Sequence, residues 1–184
     1  MKARINIPGL IAGILLLLGI MLFSRLWVLK AGENLLSLTV SLTGINLVIM
    51  GKEASIPIVK YLSISILLFS TLTAVMLITG SILASKKIGL SILRAISLNP
   101  LIFTIIFTVI ILITPYIIVN YLSSLLGLKT PIQFLGESTA NMTLTTRGIE
   151  LKLSIPIKGE LQQGYYILWI TSITALISRI IKAK

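Results

Sequence analysis

Residues 36–50 read LSLTVSLTGINLVIM, and their alternation decides the fold class. Leu36, Leu38, Val40 and Leu42 fall on one side of an extended chain and Ser37, Thr39, Ser41 and Thr43 on the other. That is the period-two signature of a half-buried strand. Gly44 interrupts the run and residues 45–50 read as a returning strand, so a hairpin across Thr43-Gly44 is expected. A spanning helix would have no reason to alternate.

A second segment follows the same rule. Residues 141–145 alternate polar and apolar, Arg147-Gly148 supplies a turn, and Ile149, Leu151, Leu153, Ile155 and Ile157 then alternate with Glu150, Lys152, Ser154, Pro156 and Lys158. Pro156 has no amide hydrogen for a ladder, which places it at a sheet edge or strand end. A lone two-stranded hairpin is marginal in water. The two segments are therefore expected to join in one small sheet whose apolar face caps the helices.

The rest of the chain reads as membrane protein. Of 184 residues 56% are hydrophobic and 11% charged, with a mean hydropathy of +1.06, against about 45–50% apolar and about 25% charged in a soluble domain. A soluble globule is excluded. Four stretches approach the roughly 20 apolar residues a spanning helix needs: residues 7–29, 58–84, 100–122 and 165–181. Between them lie two strand-bearing outer loops, 30–57 and 123–164, and a basic inner loop, 85–99, with tails at 1–6 and 182–184. The expected class is a membrane α-helical protein, a four-transmembrane-helix bundle with a small extracytoplasmic antiparallel β-sheet built from the two outer loops. Lys2 and Arg4 precede the first span, but it is too long for a signal-peptide core and no cleavage pattern follows, so it is expected to stay as an anchor.

Small residues in the spans recur on stripes. Ser63, Ser70, Ala74 and Ser81 stand seven and four apart, Gly9 and Gly13 have GxxxG spacing, and Thr171, Ala175 and Ser178 repeat the pattern near the end. Such stripes let helix backbones approach closely in lipid, so these residues are candidates for helix packing. Trp27, Tyr61, Tyr116, Tyr121, Tyr165, Tyr166 and Trp169 lie near span ends on the strand-bearing side, as an interfacial aromatic belt would. In the inner loop Ile88, Ile92, Ala95 and Ile96 share a helical face with Lys87 and Arg94 off it, which suits a short in-plane helix touching anionic lipid.

Charge sets the expected orientation. The net charge is +11; eight Lys and Arg with no acid lie on the side of the tails and inner loop, counting Arg179 at the end of the fourth span, and eight with all five Glu lie on the side of the outer loops, counting Arg25 and Lys60 at span ends. The dense acid-free side is expected to be cytoplasmic, giving a multi-pass plasma-membrane protein with both termini inside. The glycosylation sequon Asn141-Met142-Thr143 falls in an outer loop, in agreement.

Asp, His and Cys are absent. That removes disulfides, thiol nucleophiles and the commonest metal ligand and general base. No span carries an ionisable group near its middle, which argues against a pump or proton relay. No catalytic, cofactor or metal site is read, and the basic residues are assigned to membrane anchoring rather than nucleic acid. The expected function is a non-catalytic integral membrane protein, an accessory or structural subunit or lateral-assembly component acting through its outer sheet. Its partners would be the lipid bilayer and further copies or other membrane subunits. The alternative is a subunit of a transport or electron-transfer complex binding a lipid-soluble ligand such as a quinone.

The order helix, strand-bearing loop, helix, short basic loop, helix, strand-bearing loop, helix, with Arg25-Leu26-Trp27 closing the first span, resembles the claudin and peripheral-myelin-protein type of membrane protein. The resemblance implies an outer sheet above a left-handed helix bundle and action by lateral and cell-to-cell association.

Overall fold

The computed structural model describes residues 5–32, 35–53, 57–126, 135–146 and 149–181. Helix α1 (Ile7–Leu22) is followed by strands β1 (Arg25–Ala31), β2 (Leu36–Ser41), β3 (Gly44–Ile49) and β4 (Lys52–Glu53). Helices α2 (Pro57–Ile82), α3 (Lys87–Ile96) and α4 (Asn99–Leu126) come next, then strands β5 (Gly136–Thr146) and β6 (Ile149–Leu161) and helix α5 (Gln163–Ile180).

The strands form one antiparallel sheet in the order β4-β3-β2-β1-β6-β5. The first hairpin turns through Leu42-Thr43, one residue earlier than the glycine suggests, because Ser41 pairs with Gly44. The Ser41 hydroxyl locks that turn, donating to the Gly44 carbonyl at 2.7 Å. Strand β1 lies inside the sheet, between β2 and β6, with Trp27 opposite Val40 and Leu161, and Leu29 opposite Leu38 and Gly159. Alternation then buries Trp27, Leu29, Ala31, Leu38, Val40 and Ile157, which join Leu16, Ala74, Phe103, Phe107, Ile111 and Leu168 from the helices in one core.

Two findings overturn the expected architecture. The sheet has six strands rather than being a small product of the two loops, and an inner strand comes from residues assigned to the first span. Helix α1 stops at Leu22, and Arg25–Ala31 run as β1 instead of continuing to residue 29. Hydropathy counts apolar residues without regard to their period, so Leu26 to Leu29 satisfy a span or a buried strand equally. Hydrogen-bonding partners on both edges settle the choice for the strand.

The second correction concerns the spans. Among the described residues two stretches are long and apolar enough to cross a membrane, Lys60–Ile82 and Lys87–Thr114, the latter taking in α3 and the first half of α4. Helix α1 has 16 residues and α5 has 18, so at 1.5 Å per residue they reach only about 24 and about 27 Å, short of the ~30 Å hydrocarbon core. A bundle of four equivalent spans is replaced by two span-length helices, shorter helices beside them and a six-stranded sheet. The fold itself gives that sheet no membrane side.

Helix α1 packs between α2 and α5, and α4 lies against α5. The α1–α2 approach is close at Gly13, where a Cβ would stand 2.6 Å from Ile78 Cγ1 and 3.0 Å from the Ala74 carbonyl oxygen. A larger residue there would push the two backbones apart.

Candidate functional site

At the sheet end the long β5–β6 hairpin outgrows its neighbours. Strand β1 pairs with β6 only over residues 157–161, whereas eight of the eleven β5–β6 pairs lie beyond Ile157. Those eight pairs make a ribbon about 26 Å long, and among the described residues no further strand pairs with either of its edges. At its base the Gly32 amide donates to the Pro156 carbonyl at 2.7 Å. In the register apolar pairs (Ala140 with Ile155, Met142 with Leu153, Leu144 with Leu151) alternate with polar ones (Asn141 with Ser154, Thr143 with Lys152, Thr145 with Glu150). The apolar pairs stand in period with Ile157, which is buried in the core.

The opposite face of the sheet carries an ionic row. Lys30, Lys158 and Glu137 are consecutive across β1, β6 and β5. Lys158 Nζ reaches Glu160 Oε1 at 2.8 Å and Glu137 Oε1 at 3.3 Å. Hydrogen bonds to Glu160 and then Glu137 raise the Lys158 ammonium above the ordinary lysine value, and the bond from Lys158 holds Glu160 below the usual carboxylate value. Glu160's share in stability is present above the ordinary carboxylate range and lost as pH falls through its lowered value; Lys158's is present below the ordinary lysine range and lost as pH rises through its raised one. Solvent screens these exposed pairs, so they order the strands more than they stabilise them. A groove of about 440 Å³ lies beside the row, lined by Lys30, Gly32, Ser138 and Pro156 among others. Nothing in it pairs a base with a nucleophile, and among the described residues no three His, Cys, Asp or Glu come together.

The other end of the molecule is built around Asn6. Its Oδ1 accepts the Gly9 amide at 3.0 Å, capping α1, while its Nδ2 donates to the Ser178 carbonyl at 2.9 Å and the Ile181 carbonyl at 3.2 Å. Its backbone amide donates to the Ser81 carbonyl at 3.0 Å. One buried residue thus joins the start of α1 to the ends of α2 and α5. Sequence reading passed over it, although Asn directly before Ile7-Pro8 is a helix-start signal.

Helix α3 crosses this same end. Leu93 packs with Ala12, Leu77, Ala84 and Ala175, and Gly89 sits so close to the Leu83 carbonyl that any side chain would collide with it. The fully buried side is Gly89 and Leu93, while Ile88, from the face expected in the interface, is 68% exposed. Lys86, Lys87, Arg94 and Arg179 are exposed here.

The remaining candidates are distributed as follows. Gly9 lies against the Ser81 hydroxyl, which donates to the Leu77 carbonyl, and Gly13 faces Ala74. Ser70 is fully buried, and its hydroxyl has no partner among the described residues. Ser63 serves the sheet, accepting the Ile45 amide at 3.1 Å. Thr171 and Ala175 are fully buried, and Ser178 donates to the Ala175 carbonyl. Trp27 is fully buried in the core rather than in a belt. Tyr165 bonds Thr108 through its hydroxyl at 3.0 Å and makes edge contacts with Tyr166 and Trp169. Tyr61, Tyr116, Tyr166 and Trp169 are exposed. The side chains of Tyr121 and Asn141 lie outside the described residues.

Comparison with protein families, curated proteins and solved structures finds no match to this chain.

Proposed function

We propose that the protein is a non-catalytic membrane protein that works through its sheet, as an accessory subunit of a membrane complex or a component of a lateral assembly. The observation that carries this reading is the β5–β6 ribbon, which no further strand pairs among the described residues and whose apolar pairs stand in period with the core residue Ile157. Unpaired edges accept a further strand, and an amphipathic ribbon lets the added surface be apolar.

Purification in mild detergent with mass measurement of the intact particle tests it. The wild type is expected as a complex with further copies or other subunits. Met142→Lys with Leu153→Lys charges a directly opposed apolar pair and is expected to weaken association by about thirtyfold or more. A lone wild-type monomer, or unchanged assembly in the double variant, sinks the reading.

We further propose a multi-pass protein of the cell membrane with both termini cytoplasmic. The support is the acid-free basic end, since short dense basic segments resist translocation. The chain has no cysteine, so Lys87→Cys makes a unique label site. It is expected to resist an impermeant maleimide in intact cells and to react fully after permeabilisation; labelling in intact cells would reverse the orientation.

A further inference from the structure

We propose that the end formed by α3 and the termini of α1, α2 and α5 is a recognition surface for anionic phospholipid headgroups, with Lys86, Lys87, Arg94 and Arg179 contacting the phosphates and Ile88 and Ile180 seated at the acyl boundary. Charge is the first support. Four basic residues, Lys86, Lys87, Arg94 and Arg179, lie here among the described residues, and none of the five acids of the chain falls in these segments. Among the described residues the ion pairs are confined to Lys158 with Glu137 and Glu160 on the sheet. The four cations are exposed and have no acid beside them to satisfy.

Geometry is the second support. Helix α3, ten residues long, packs beside the last turns of α2: Gly89 lies against Leu83 and Ala84 just past that helix, and Leu93 against Gly80 and against Gly9 at the start of α1. It also contacts α5, so its outward side belongs to the end where α1 starts and α2 and α5 finish. Its buried side is spent on those contacts, which leaves Lys87, Ile88, Ser91 and Arg94 outward. Ile88 and Ile180 are 68% and 80% exposed and each adjoins a cation, Lys87 and Arg179. Cations flanked by exposed apolar side chains match a headgroup above its acyl chain; an acidic soluble partner would leave the two isoleucines in water.

The inference presupposes insertion in a bilayer, and the experiment reads insertion separately. The full chain carrying Ile88→Cys or Tyr61→Cys, each labelled with an environment-sensitive fluorophore, is reconstituted in phosphatidylcholine vesicles containing brominated phosphatidylglycerol or, at equal fraction, brominated phosphatidylcholine. Quenching by either lipid shows insertion. At position 88 the anionic lipid is expected to quench severalfold more than the zwitterionic one, with no such preference at position 61 beside the sheet. Replacing Lys86, Lys87, Arg94 and Arg179 by Gln is expected to abolish the difference, at about fivefold in local affinity for each cation. Equal quenching by the two lipids at position 88, the same preference at both positions, or a preference that survives the four substitutions would overturn the proposal. The comparison of the two label sites in the otherwise wild-type chain stands even where the quadruple variant fails to fold.

Discussion

Asn6→Ala is expected to destabilise the protein by about 3–5 kcal/mol. The substitution removes the α1 cap from the Gly9 amide, worth about 1 kcal/mol, and the donors to the Ser178 and Ile181 carbonyls. Leaving the buried Ser178 acceptor unsatisfied costs about 1–3 kcal/mol, and the part-buried Ile181 acceptor about 1 kcal/mol. The loss should fall on the junction of three helices and spare the sheet. Asn6→Ser separates the contributions, because a serine hydroxyl still caps α1 but cannot reach α5; about two-thirds of the effect should remain. Denaturant titration in detergent, followed by helix content, checks both. A loss below about 1 kcal/mol for Asn6→Ala would mean that the helix ends are held by packing alone.

Trp27→Ala is expected to cost about 3–5 kcal/mol, the range for deleting a large buried aromatic. Trp27 is fully buried between β2 and β6 on the face that meets the helices. The same change at Trp169, which is 38% exposed, should cost far less. The pair discriminates sharply between two readings of the same residue, since an interfacial Trp27 would tolerate alanine as well as Trp169 does. Fluorescence adds a check: only these two tryptophans are present, so the Trp169→Ala protein should emit at short wavelength and resist an aqueous quencher. Ready quenching of Trp27, or a small loss on its removal, would return residues 25–31 to the first helix.

Much of the fold was legible where a period was visible. The alternation over residues 36–49 and 149–158 identifies β2, β3 and β6, and the Pro156 argument places it where the sheet's third neighbour ends. Helices α2 and α4 follow from long apolar runs. The overlong first span has one cause: residues 23–31 contain apolar side chains with no clean period, so hydropathy absorbed them into a helix. Strand β1 is recognisable only through its partners, one from each half of the chain. The isoleucine face of α3, expected to lie in the interface, is divided: Ile88 is exposed while Ile96 packs on the core, because the close contact of Gly89 with Leu83 sets the rotation of the helix.

The candidate sites divide likewise. The composition of the two ends, acids with the strands and an acid-free basic set at the helix ends, is a property of the chain and was readable directly. Asn6 carried a local signal, its place before Ile7-Pro8, but a capping residue is not seen as a three-helix tie until Ser81, Ser178 and Ile181 come to it. The strands alone predicted hairpins, not that one of them would outgrow the sheet.

Local pattern therefore accounts for the alternating strands, the apolar helices and the charge segregation, because each is encoded in the residues of a single segment. The sheet's strand order, the core position of Trp27, the buried side of α3 and the free ribbon were settled by packing between segments far apart in the chain. Their physical causes are β1's hydrogen bonds to both neighbours, backbone approaches that only glycine permits, and a hairpin longer than the strand it joins. None of these can be expressed in one segment read alone.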